Sequence, residues 1–279
     1  METPPVLKAR ELVTNAPHPL KNISRVAGRC LSLMWKWAEK ELQTKEIVAM
    51  QSILGRVREW ALTEDSKDTK EWVEFDVVEM FPSIPKEEVL AAVEWVHGQM
   101  VAHKKTRGRV SFFLAYDNNR KADNLSSGCK AHFLKLAYTD VARLLAWDLY
   151  INDVFQCLSS VIAQGTGVPM GGSCSAQEAS LTLIKRELAG DTPEGLRKGT
   201  WLRYRDNFLF RLSPAESEME AVRLELETLT SMGIRLEQHG GSIRFLECQL
   251  DPIHSPHPIS LPDYKSEVAG STAPTLRTT

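Results

Sequence analysis

Trp72-Val73-Glu74-Phe75-Asp76-Val77-Val78 decides how this chain is read. The run is short and rich in β-branched and aromatic residues, which predicts a buried strand. Asp76 stands among apolar neighbours, where an unpaired charge is costly. A strand-end Asp paired with a nearby Arg is the plain explanation, and a metal ligand is the functional one. Pro82 and Pro85 end the strand. Pro85 suits the first turn of a helix, whose face is then Val89, Leu90, Val93, Val96 and Met100.

A second site of interest lies downstream. Thr200–Tyr204 and Phe208–Arg211 read as short strands flanking the turn Arg205-Asp206-Asn207. Asp and Asn are ordinary turn formers, so this hairpin alone carries little. Between the two sites lies the Gly-rich stretch Gln164-Gly165-Thr166-Gly167-Val168-Pro169-Met170-Gly171-Gly172. Ser173 or Ser175 is the expected cap of the helix that follows. Glu178, near that helix's start, favours its positive end electrostatically.

Outward from these stretches, Ile23 to Trp35 and Ile47 to Trp60 carry apolar residues at helical spacing. Ser111–Tyr116 and Val154–Leu158 are candidate strands, and Lys130–Trp147 is a candidate helix. Thr192–Lys198 reads as a turn. Ser213-Pro214 opens a helix with Pro at its first position, ending at Gly233. Ile234–Gln238 and Ile243–Leu250 read as the arms of a hairpin. From Asp251 onward Pro, Ser and Thr dominate, which predicts a disordered tail. This order predicts an α+β domain with an antiparallel sheet flanked by helices.

Composition narrows the function. The chain has 279 residues, 43% of them hydrophobic and 25% charged, enough for one substantial core. No apolar run approaches the ~20 residues of a membrane span, and Met1–Lys21 lacks a signal-peptide core. The expectation is a soluble intracellular protein with no membrane partner. The five cysteines are odd in number and contain no CxxC pair, which supports neither a disulfide framework nor a zinc knuckle. The net charge of -2 argues against a surface that grips phosphate everywhere. Basic residues concentrate in 1–36 and in Lys104, Lys105, Arg107 and Arg109.

Phosphodiester synthesis needs two or three carboxylates on rigid neighbouring strands, to hold divalent cations near the attacking and leaving oxygens. Asp76 and Asp206 meet that description. The surrounding residues resemble reverse transcriptases, in particular Penelope-like and other non-LTR retroelement enzymes. Phe75–Pro85 looks like their first palm motif, and Val168–Ser175 resembles their Gly-rich second motif. Arg203–Asn207 looks like their Tyr-x-Asp-Asp turn, Gly233-Ile234 like the fourth motif, and Phe245-Leu246-Glu247 like the fifth.

The resemblance implies a polymerase palm over 71–250, with 1–70 as an N-terminal helical segment supplying part of the fingers and 251–279 as the tail. It implies an RNA-directed DNA polymerase using dNTPs on an RNA template and DNA primer, with Mg2+ or Mn2+ as cofactor. Asp76, the Val77 carbonyl and Asp206 would bind metal. Asn207 would complete the catalytic turn, and Phe81 would act as a steric gate against a ribose 2′-hydroxyl. Met170, Gly171, Gly172 and Tyr204 would contact substrate.

Three departures stand out. Asn207 occupies a position where the family carries Asp, which lowers metal affinity. Ser175-Ala176 replaces the usual Ser-Pro. Little after Leu250 resembles a thumb, as expected of a fragment. The alternative expectation is therefore an inactive palm remnant that binds nucleic acid or protein.

Overall fold

The computed structural model describes residues 21–63, 70–103, 110–116, 123–126, 132–151, 154–157, 160–169, 171–190, 192–252 and 258–260. The elements run α1 (Lys21–Glu41), α2 (Met50–Thr63), β1 (Glu71–Val77), α3 (Met80–Ser83), α4 (Lys86–Ala102), β2 (Ser111–Ala115), β3 (Asn124–Ser126) and β4 (Phe133–Ala137). They continue with α5 (Tyr138–Tyr150), β5 (Val154–Cys157), β6 (Ser160–Ala163), α6 (Ser175–Ala189), α7 (Glu194–Lys198), β7 (Trp201–Tyr204) and β8 (Asn207–Leu212). Last come α8 (Glu216–Thr230), β9 (Ile234–Gly240), β10 (Ile243–Phe245), β11 (Cys248–Leu250) and β12 (Ile259–Ser260).

The central sheet is four-stranded and antiparallel, in the order β7-β8-β1-β9. Strand alternation gives it two different faces. Val73, Phe75, Val77, Trp201, Phe208 and Phe210 point into the main core. There they meet α1, whose buried stripe Ala27, Cys30, Leu31, Met34, Trp35 and Ala38 follows helical spacing, along with α4, α5, α6 and α8. Trp72, Leu202 and Leu209 point the other way, into a smaller core with Ile53 and Val57 of α2 and Ile243, Phe245, Cys248 and Leu250 of the β10-β11 hairpin. The outer edge of β7 is covered: Lys45–Ile47 pairs with Arg203 through two backbone hydrogen bonds, Ile47 N to Arg203 O at 2.8 Å and Arg203 N to Lys45 O at 2.9 Å.

Several expectations need correction. Lys130–Trp147 is not one helix: Phe133–Ala137 forms β4, in register with β2, and α5 begins only at Tyr138. The exposed edge of β2 supplies ladder partners to Phe133–Ala137, and Asp140 starts the helix by accepting the Ala137 N–H at 2.9 Å. Strands β3 and β6 add antiparallel partners to β2 and β5. Ile234–Leu250 is not a simple hairpin. β9 pairs with β1 in the central sheet, while β10 turns back onto β11. Burial of Ile234 against the main core outweighs the local hairpin preference.

The tail is not wholly without structure, because Ile259–Ser260 pairs with β11. Thr192–Lys198 contains the short helix α7. Helix α8 begins at Glu216, after Ala215, so Pro214 lies outside its first turn. Cys174, not a serine, occupies the N-cap of α6. Met170 and the basic run Lys104–Arg109 lie outside the described residues. Among the described residues, no helix is long and apolar enough to cross a membrane.

Candidate active site

The two central strands bring the predicted carboxylates together. In the β1–β8 register Asp76 faces Asn207, and the Val77 N–H donates to the Asp206 carbonyl at 3.0 Å. The β7–β8 connection is tighter than the expected three-residue turn. Tyr204 pairs directly with Asn207, leaving Arg205 and Asp206 as the loop. Arg205 has φ 57°, the left-handed region that non-glycine residues seldom occupy. By alternation, Glu74 and Asp76 lie on the face of Trp72, and Asn207 on the face of Leu209. The acids therefore stand at the open end of the smaller-core face.

Each carboxylate has a partner. Asp76 Oδ2 accepts from the Arg235 guanidinium of β9 at 2.9 Å, and Arg235 also pairs with Glu237. Asp206 Oδ1 accepts from the Asn207 side-chain amide at 3.1 Å. Glu74 Oε2 accepts from Gln238 Nε2 at 2.5 Å. Burial pushes the Glu74 carboxyl up; the Gln238 bond opposes this, while Glu237, Asp76 and Asp206 reinforce it. The site is thus a cluster of like charges held in reach of one another by sheet register. The plain explanation of Asp76 applies, since the carboxylate is paired with an Arg. That Arg is Arg235. Arg205, beside Asp206 in sequence, instead places its guanidinium 5.2 Å from the Tyr204 ring centroid.

The turn rests on a buried ionic hub. Arg203 is fully buried and pairs with both Glu46 and Glu187. Its Nη1 also donates to the Arg205 carbonyl at 2.9 Å, tying the hub to the loop that carries Asp206. Burial pushes the Glu46 carboxyl up to about 8, against the pull of Arg203. One guanidinium serves two buried carboxyl groups, and the proton retained on Glu46 removes the charge that Arg203 does not balance.

The Gly-rich stretch closes on α3. The Val168 N–H donates to the Phe81 carbonyl at 2.8 Å, and half-buried Phe81 packs on the main core. Gly167, at φ 78°, has no room for a side chain: a Cβ would lie 2.5 Å from Pro82 Cα. Gly171 also has positive φ, at 96°. The missing side chain of Gly167 permits its close backbone approach to Pro82 of α3. Sequence reasoning singled out Gly171 and Gly172 and missed Gly167. It also missed Arg235, Glu46, Arg203 and Glu74; of these, the charge of Arg203 inside an apolar strand was the available signal.

The donor set suits a divalent cation. Magnesium takes oxygen ligands and is commonly held by one or two carboxylates plus substrate phosphates. Asp76 and Asp206 supply two carboxylates, and Glu74 lies close enough for both to raise its carboxyl, after burial. A cation there would take the place of the Arg235 guanidinium on Asp76. Arg235 is half exposed, and such exposed pairs contribute only about 0–1 kcal/mol.

No protein-family model matches the sequence, and no curated protein matches it. Solved structures match its fold. The telomerase of Candida tropicalis in complex with a TWJ fragment of telomeric RNA superposes with a TM-score of 0.59 at 11% identity, over 95% of this chain and 40% of the telomerase chain. Apo telomerase from the same species gives a TM-score of 0.58 at 11% identity, over 82% of this chain and 39% of the other. The Candida albicans enzyme, also with telomeric RNA, gives 0.55 at 14% identity over 84% and 38%. This chain therefore spans about two fifths of the telomerase chains it matches. The shared architecture is that of a nucleic-acid polymerase palm: an α+β fold with an antiparallel sheet flanked by helices.

Proposed function

We propose that this palm performs template-directed nucleotidyl transfer of the reverse-transcriptase type, extending a DNA primer on an RNA template with dNTPs. One observation carries the reading: sheet register sets Asp76 opposite Asn207, and the Val77 N–H holds the backbone of Asp206 beside it. In the reaction a primer 3′-hydroxyl attacks the α-phosphate of a nucleotide and pyrophosphate leaves. Magnesium or manganese, when bound, lowers the cost of charge on the attacking and leaving oxygens.

Asp76, Asp206 and the Val77 carbonyl would hold that ion. Asn207 offers an amide oxygen where the resembled family has a second carboxylate, so affinity for the ion is reduced. The Arg235 guanidinium occupies Asp76 until substrate and ion arrive. Phe81 would exclude a ribose 2′-hydroxyl, while Tyr204, Met170, Gly171 and Gly172 would border the primer terminus and the templating pair. Residues 1–70 would act as part of the fingers. The five motifs support a retroelement origin of the Penelope-like or non-LTR kind.

Primer extension on an RNA template tests the proposal, run with magnesium and with manganese. Manganese binds such sites more tightly and should compensate for the missing carboxylate. Extension by the parent protein that disappears in Asp206→Ala supports it. Extension that appears only in Asn207→Asp shows an intact site silenced at that position. No extension from either protein, with salt-sensitive but magnesium-independent RNA binding, would replace the proposal with an inactive palm that binds nucleic acid.

A further inference from the structure

Away from the sheet, α1, α5 and α6 converge on a polar cluster inside the protein. Asp148 of α5, Cys174 at the N-cap of α6 and Glu178 in the first turn of α6 each direct one ligand atom into a common space, all within 4.8 Å of one another. Asp148 is 5% exposed, and Cys174 and Glu178 are 0% exposed. Ser24 of α1 braces the group: its Oγ donates to Asp148 Oδ1 at 2.6 Å, and its carbonyl lies 3.3 Å from Cys174 Sγ.

Glu178 is the unexplained member. Both of its carboxylate oxygens are buried and have no hydrogen-bond partner among the described residues. Its nearest charge is the like charge of Asp148, and among the described residues no cation acts on it. Burying a carboxyl without a partner costs several kcal/mol. Two acids and a thiol facing one another in a dry interior are held in the protonated state by burial, unless a cation enters between them and displaces the protons. The donor types decide which: sulfur with carboxylate oxygen suits zinc and not magnesium.

We infer that Asp148, Cys174 and Glu178 form a buried zinc site that locks α1, α5 and α6 together. It is separate from the Asp76–Asp206 cluster and does not depend on the catalytic reading. A thiolate and two carboxylates outweigh Zn2+ by one negative charge, and the positive end of the α6 dipole, which carries both Cys174 and Glu178, opposes that excess. Ser24 takes the role of a residue that orients a ligating carboxylate from outside the coordination shell.

The test uses the full chain stripped with a chelator and titrated with zinc against a chromophoric competitor, then with cobalt as a spectroscopic substitute. The expected result is one zinc per chain, a thiolate-to-cobalt charge-transfer band and a rise in Tm on zinc addition. Cys174→Ser should abolish the band, and Ser24→Ala should weaken zinc about tenfold or more. A doubly substituted Asp76→Ala, Asp206→Ala protein should keep the site, which excludes binding at the palm carboxylates. If the folded parent shows no cobalt band and a Tm indifferent to zinc, the inference is wrong.

Discussion

The clearest quantitative consequence of the fold is a pH-dependent stability set at Glu46. This carboxylate lies in the core beside Arg203, accepts from Ser180 Oγ at 3.1 Å, and competes with Glu187 for the same guanidinium. Its pKa is raised from the ordinary 4.5 to about 8, first by burial. The unfolded chain therefore releases this proton near pH 4.5, whereas the folded chain retains it to about pH 8. The stabilising contribution is present in full below the unfolded value and is lost as pH rises through the folded one. Each pH unit in that window costs about 1.4 kcal/mol.

Glu46→Gln keeps an acceptor for Ser180 and removes the titration. Between pH 5 and pH 8 the stability of the variant relative to the parent should then rise by roughly 3 kcal/mol. Urea denaturation of both proteins at several pH values measures this directly. Glu178 and Glu74 are also pushed up by burial and slope both curves alike; Glu187 shares Arg203 with Glu46, so the difference between proteins reads the Glu46 titration together with the response of Glu187. Parallel curves would refute the reasoning and mean that Arg203 keeps Glu46 ionised throughout.

Other consequences are more local. Gly167→Ala must push a Cβ into the Pro82 backbone at a positive φ, so it should destabilise the protein by about 1–3 kcal/mol, read as a fall in the urea midpoint. Arg235→Ala removes the Arg partner of Asp76 without touching the main core and should tighten manganese binding about two- to fivefold, the range expected for loss of a half-exposed pair, measured by calorimetry. Phe245→Ala empties a fully buried position in the smaller core and should cost about 3–5 kcal/mol. Because Phe245 sits in the smaller core, on the other side of the sheet from α1, α5 and α6, the same variant should leave the zinc-dependent rise in Tm intact.

The amino-acid sequence by itself determined what is local. The apolar spacing of 27–38 fixes one buried face of α1, the β-formers of 72–77 fix β1, and Trp201–Tyr204 with Phe208–Leu212 fix a hairpin around Asp206. Each element records its own periodicity, so the presence of two carboxylates near strand ends was legible from residues alone.

Periodicity says which face is buried but not what covers it. Only the tertiary structure decided that β1 lies between β8 and β9, and that choice sets Asp76 opposite Asn207 and under Arg235. It drew Phe133–Ala137 away from a helix because β2 had a free edge to pair. It also turned two acids that resemble ordinary surface residues into buried groups: Glu46 in the hub beside Arg203, and Glu178 between three helices. A charged side chain carries no mark in the sequence of the partner that permits its burial, because that partner arrives from a distant element when the core closes.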